Sequence, residues 1–297
     1  MPIRRGRALA ALFPLFLTAA GAPAPAASLD YVGTYVWNRA DDSFGGFSAI
    51  ELNADGTQFH ALTDRARLYR GSIERDPQGV IRAMNVSARA HLKDRKGLPL
   101  EPGYHGDSEG LAVGEDGRIW ISFEGFNRIS LYQNPDATPS RRRLPPKLPW
   151  MRINSGFEAI AIRGNTVFAV PERSEAEDQP FPVLTFRDNV WGRAGEIRRD
   201  PRWLAVAADF GPDDWFYLLE RDFRGILGFA SRVRRMRMTD DGPADEEILL
   251  TTRALQYDNL EGLSVWRDGQ GIRLTMISDD NFLALQRTEL VEYRLRD

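Results

Sequence analysis

Glu109-Gly110-Leu111-Ala112-Val113, then Asp116-Gly117, then Ile119-Trp120-Ile121-Ser122-Phe123-Glu124 is the stretch whose reading decides the fold. It is an acid opening an apolar run, a turn, a second apolar run and a closing acid. The phrase recurs as Glu158-Ala159-Ile160-Ala161-Ile162 leading to Val167-Phe168-Ala169-Val170-Pro171-Glu172, and as Glu261-Gly262-Leu263-Ser264-Val265 leading to Leu274-Thr275-Met276-Ile277-Ser278-Asp279. Weaker copies run from Ser48-Ala49-Ile50 to Ala61-Leu62-Thr63-Asp64, and from Val206-Ala207-Ala208 to Leu218-Leu219-Glu220. The starts at 48, 109, 158, 206 and 261 lie 61, 49, 48 and 55 residues apart. That is the period of propeller blades.

Each phrase predicts two β-strands. The runs are short and rich in Val, Ile, Leu, Phe and Trp, and the joints Asp55-Gly56, Asp116-Gly117 and Gly164-Asn165 suit tight hairpins. Further strand-like stretches fall at 79–86, 129–133, 183–187, 231–239 and 289–295, and no segment has a convincing amphipathic helical period. Four short strands per repeat predict an all-β propeller of five four-stranded blades, or six if one blade has diverged beyond recognition. The last repeat has room for three strands only. Tyr31-Val32-Gly33-Thr34-Tyr35-Val36-Trp37 is free to supply its outer strand, so the propeller is expected to be closed by an N-terminal strand.

The chain starts differently. Arg4-Arg5-Gly6-Arg7 is basic, residues 8–20 are apolar and Ala24-Pro25-Ala26 fits the small-residue cleavage rule, which predicts a signal peptide over residues 1–26 and a periplasmic or secreted protein over residues 27–297. A spanning anchor fits less well, because the apolar run is shorter than the roughly 20 residues required and contains Pro14. The arginine pair leaves the choice between general and twin-arginine export open. With no cysteine among 297 residues, disulfides, zinc thiolates and a cysteine nucleophile are excluded. The leader holds three of the 39 basic residues and none of the 42 acidic ones, so the remainder carries a net charge of −6 and no basic footprint for nucleic acid. A monomer with no membrane span in the mature chain is expected.

The recurrent acids carry the chemistry. Matching ends of the inner strands meet at one mouth of a propeller, so Glu109, Glu158 and Glu261, with Asp64, Glu124, Glu172, Glu220 and Asp279, are expected to form one or two rings there. Crowded carboxylates repel unless a cation lies among them, and oxygen ligands without His or Cys favour Ca²⁺. Asp258-Asn259, Asp107-Ser108, Asn154-Ser155 and Asp279-Asp280-Asn281 stand beside the acids and could complete a coordination shell or simply form turns. In the alternative reading each Glu caps backbone N–H groups of the next blade and stitches the ring together. Arg65, Arg173 and Arg221 each follow a closing acid, an arrangement that suits a small anionic substrate such as a phosphate, or else a local ion pair. Of the three histidines, His60 and His91 read as structural. His105, four residues before Glu109, is the candidate general acid or ligand. Ser108 lacks the Gly-x-Ser-x-Gly context of a serine hydrolase. The runs 141–147 and 174–182 read as exposed loops.

Ser-Glu-Gly-Leu-Ala-Val at 108–113, Gly-Phe-Glu-Ala-Ile-Ala at 156–161, Leu-Leu-Glu-Arg-Asp-Phe at 218–223 and Asn-Leu-Glu-Gly-Leu-Ser at 259–264 resemble the phytase-like family, described as having esterase-like activity of phytase. Gly45-Gly46-Phe47-Ser48-Ala49-Ile50 and Leu62-Thr63-Asp64-Arg65 resemble its opening repeat, so the likeness covers about residues 31–297. The resemblance implies a secreted propeller whose repeated Glu and Asp residues serve phosphoester or phosphodiester hydrolysis. In that reading Glu109, Glu158, Glu261 and His105 are the catalytic candidates, and Arg65, Arg173 and Arg221 bind the anionic group. A metal-dependent lactonase is a variant of the same chemistry, and a non-catalytic ligand- or partner-binding propeller with a structural Ca²⁺ is the alternative from another class.

Overall fold

The structure, a computed structural model, describes residues 27–41, 43–140, 144–151 and 155–296. The leader expected over residues 1–26, the arginines at 141–143 and Asn154 lie outside the described residues.

Among the described residues nineteen strands follow one another in chain order. After β1 (Ser28–Val36) come β2 (Phe47–Leu52), β3 (Gln58–Thr63), β4 (Arg67–Arg75) and β5 (Ile81–His91), the first blade. The second is β6 (Ser108–Val113), β7 (Ile119–Phe123) and β8 (Arg128–Tyr132). The third is β9 (Ala159–Arg163), β10 (Thr166–Val170), β11 (Phe181–Arg187) and β12 (Val190–Ile197). The fourth is β13 (Leu204–Phe210), β14 (Phe216–Phe223), β15 (Phe229–Thr239) and β16 (Gly242–Thr251). In the fifth, β17 (Asn259–Asp268), β18 (Gly271–Asp279) and β19 (Glu289–Arg296) pair in turn, and β1 adds antiparallel to the outside of β19. The first strand thus closes the last sheet, in the segment expected to do so. Among the described residues the sheet of the second blade has three strands, and beyond the third a single bridge joins Leu131 to Ser140.

The core is distributed among the blades. Five apolar clusters each draw on two neighbouring sheets, which is why strands such as β7 are buried on both faces. Where the ring closes, Trp37 is 2% exposed, stacks on Phe47 and meets Phe59 edge-on. Glu292 ties the same seam, accepting from Arg75 at 2.7 Å and from Arg273 at 2.6 Å.

The inner strands β2, β6, β9, β13 and β17 surround the axis. In β2, β6, β13 and β17 the ladder slips where each repeated phrase begins, between Phe47 and Ala49, Ser108 and Leu111, Ala205 and Ala207, and Leu260 and Gly262. Ser48, Glu109, Val206 and Glu261 are therefore bulge residues, and a bulge re-aims its side chain away from the ordinary alternation. The glycine after the acid follows from the crowding there. A Cβ on Gly110 would lie 2.4 Å from the carbonyl oxygen of Glu158 on the next blade, and one on Gly262 would lie 2.7 Å from the amide nitrogen of Ile50. Only glycine lets the inner strands approach so closely.

Candidate functional site

Register decides which side chains reach the mouth. The backbone N–H of Asp64 donates to Gly46, that of Glu124 to Asp107 and that of Glu172 to Gly156, each acceptor lying two residues before the phrase start. In the fifth blade the corresponding pair is Asn259 with Asp279, and in the fourth it is Leu204 with Arg221. The residue at the closing position of blade four is therefore Arg221 and not Glu220. This corrects the expected ring of acids, since a slip of one residue sends a strand side chain to the opposite face. Glu220 is fully buried and clamped by Arg232 and Arg234, each at 2.6 Å, with no part in the mouth.

What converges instead is a cup of about 240 Å³ lined by Asp64, Asp107, Glu109, Glu124, Glu158, Glu172, Glu261 and Asp279, together with Arg173 and Arg221. Below it the axis is filled by side chains such as Ile50, Leu111 and Val206 around a void of only about 10 Å³. The mouth is thus a blind cup with an apolar floor. Carboxylate oxygens of Asp107, Glu109 and Glu124 lie within 4.8 Å of one another, as do those of Glu124, Glu158 and Glu172, and Glu124 belongs to both sets.

Such crowding raises proton affinity. Burial, and then the neighbouring charges of Asp107, Glu261 and Asp280, push Asp64 up to about 7 against the pull of Arg65. Burial with Glu172 and Asp107 takes Glu124 to about 7, and burial with Glu261 takes Asp279 to about 8. Glu109 and Glu158 are raised well above the carboxylate range, first by burial and then by neighbouring acids. Glu261 is raised by burial although Arg221 pulls the other way. Arg221 donates to Glu261, to Asn259 at 3.1 Å and to Glu172 at 3.4 Å. Burial opposes its charge, but Glu261, Glu158 and Glu172 outweigh burial and raise its pKa.

The donor set fits a hard divalent cation. The eight carboxylates face two guanidiniums, and Asp64 Oδ1 is buried with no hydrogen-bond partner. Among the described residues Glu109 and Glu158 accept no backbone hydrogen bond, whereas Glu124 does accept one, from Gly156 of the next blade at 3.2 Å. Most stitching between blades falls to other groups. Ser48 donates to the Ser108 carbonyl at 2.8 Å, Ser108 to the Thr63 carbonyl at 2.6 Å, and Asp209 accepts from the Val265 amide at 2.6 Å.

The remaining candidates are scattered around this cup. Arg173 pairs with Glu172 at 2.9 Å at the rim. Arg65 sits beside Asp64 with its guanidinium 3.4 Å above the Phe282 ring. His105 is exposed, packs against Tyr104 and Phe126 and does not line the cup. His91 is held by the Leu100 carbonyl at 2.7 Å, in line with a structural role. Asp258 turns to the backbone of Arg287, while Asp107 enters the mouth. Beyond Arg173 a groove of about 780 Å³ runs between Trp150 and the Ser174–Glu177 stretch.

Fold and mouth together define a five-bladed propeller with an acidic cup at one end of its axis. A family model described as phytase-like, esterase-like activity of phytase, matches residues 42–282, and the chain belongs to that family. No curated protein matches the chain. Among solved structures, the α-L-arabinofuranosidase of Podospora anserina, in complex with cellotriose, superposes with a TM-score of 0.53 at 13% identity, over 91% of this chain and 97% of that one. The catalytic domain of the Coprinopsis cinerea GH62 α-L-arabinofuranosidase gives 0.52 at 12%, over 90% and 97%. At such identity these likenesses concern the fold alone. Among the described residues no helix is long and apolar enough to cross a membrane.

Proposed function

We propose that this protein is an exported, calcium-dependent hydrolase of phosphoester or phosphodiester substrates, working in the acidic cup. The observation that carries the reading is the pair of carboxylate sets joined through Glu124, at the one place where the repeats converge. Membership of a family described by esterase-like activity of phytase supports the same chemistry. Asp107, Glu109, Glu124 and Glu158 would hold the ion, with Glu172 at their edge. When bound, Ca²⁺ supplies positive charge against a phosphoryl oxygen and lowers the cost of ionising water.

The other side chains do the remaining work. Asp64 and Asp279, poised at about 7 and about 8, can take a proton from an attacking water and return it to a leaving group near neutral pH. Arg65, steadied on Phe282, offers its guanidinium to the anionic group from the rim. The apolar floor keeps bulk water from entering along the axis. The predicted leader would deliver the chain to a compartment where calcium is plentiful.

The test is hydrolysis of p-nitrophenyl phosphate, bis-p-nitrophenyl phosphate and a simple lactone, with calcium and with chelator. Calcium-dependent turnover of a phosphate ester is expected, with Glu158→Gln reducing it about 100-fold. Turnover of the lactone alone would replace phosphoester by lactone as the substrate class. Calcium binding with no turnover of any ester would make the cup a binding site.

A further inference from the structure

Arg221 stands at the one closing position of the five that is not a carboxylate; the other four are Asp64, Glu124, Glu172 and Asp279. The bulge residue of its own blade, Val206, is apolar, so blade four contributes no acid to the mouth. In their place its guanidinium reaches Glu261 on one side and Glu172 on the other, with only 15% of its side chain exposed. The two carboxylate sets with clustered oxygens lie on blades two and three, and only Glu172, at their edge, touches Arg221. The mouth is therefore lopsided: Arg221 is inserted between two carboxylates on one side, whereas Arg173, the other guanidinium of the lining, stays half exposed at the rim and, among the described residues, pairs with Glu172 alone.

We propose that Arg221 is the resident cation of the mouth, a positioning residue that pairs with Glu172 and Glu261 at once and fills the place of a second divalent ion, confining added metal to the side of Asp107, Glu109, Glu124 and Glu158. This rests on the calcium reading of the cup. A fixed guanidinium also explains how a ring of eight acids folds before any metal arrives, because the fork geometry of arginine satisfies two carboxylates at once.

The experiment is calorimetric titration of CaCl₂ into the chelator-stripped protein, comparing the parent with R221Q and R221K after circular dichroism has checked the fold. R221Q is expected to bind one more calcium ion per chain than the parent, while R221K, which keeps the charge, binds the parental number. A folded R221Q with the parental number overturns the inference and leaves the calcium reading to stand or fall on the parent. A parent that binds none, whatever R221Q does, sinks the calcium reading and overturns the inference with it, since no added metal is then confined. If R221Q does not fold, the double variant R221Q/E261Q, relieved of the stranded charge, should fold and bind the parental number. A double variant as unfolded as the single one overturns the inference.

Discussion

Glu220 directs its carboxylate into the interior of blade four, where Arg232 and Arg234 meet it, while the next side chain turns to the mouth. Removing one partner of a buried ion pair leaves an uncompensated charge and costs about 3–5 kcal/mol. Glu220→Gln leaves Arg232 paired with Asp200 and Arg234 with Glu246, so it is expected to lower the unfolding free energy by less than that, about 1–3 kcal/mol in a urea titration, while leaving any calcium response intact. An E220Q protein as stable as the parent but deaf to calcium would return Glu220 to the mouth. The sequence shows an acid followed by an arginine at 64–65, 172–173 and 220–221, so alignment by residue type selects the acid every time. Only the ladder, with Leu204 opposite Arg221, reveals that blade four is offset by one. Asp107 was legible as a neighbour of Glu109, but its place in the cup depends on the bulge beside it.

At the scale of the strand, the repeated acid-glycine pair records two constraints: a bulge that aims the acid and a contact that excludes a Cβ. Gly110→Ala, whose new methyl group would meet the Glu158 carbonyl at 2.4 Å, is expected to destabilise by about 1–3 kcal/mol through overpacking. Gly269→Ala, with nothing within 4 Å and no positive φ, should be neutral. Equal chemical denaturation midpoints for the two variants would contradict the close-packed inner ring. The hairpins and the closing strand were legible because short apolar runs, turn residues and a missing outer strand all leave a mark in composition. Strands β12 and β16 were not, since their outward faces are polar and exposed and lack the continuous apolar run of the buried strands.

For the whole molecule, the cup stores electrostatic repulsion that folding must overcome. Asp64 and Glu124 titrate at about 7 and Asp279 at about 8 in the fold, against roughly 4 in an unfolded chain. Between those values the folded state holds protons that the unfolded chain has released, so stability falls as pH rises from about 4 to about 8 and levels off outside that window. Asp209, pushed to about 7 by burial, and Glu51, raised by burial and then by Asp209, act in the same direction further along β13 and β2. Without metal the melting temperature should fall steadily from pH 5 to pH 8, and a rise over that range would contradict the account. The fold and the acids were readable from the repeat, whereas the blindness of the cup and its resident arginine needed packing and register. The most direct test of the central claim is the melting temperature of chelator-treated protein as calcium is added at pH 7.5. At a hundredfold excess over Kd, linkage gives about 2.7 kcal/mol. For a chain of this size that corresponds to a rise of about 5–10 °C. Glu158→Gln should lose most of the rise, and the exposed control Glu115→Gln should keep it. A parent protein whose melting temperature does not move with millimolar calcium would contradict the claim that the converging carboxylates form a cation site.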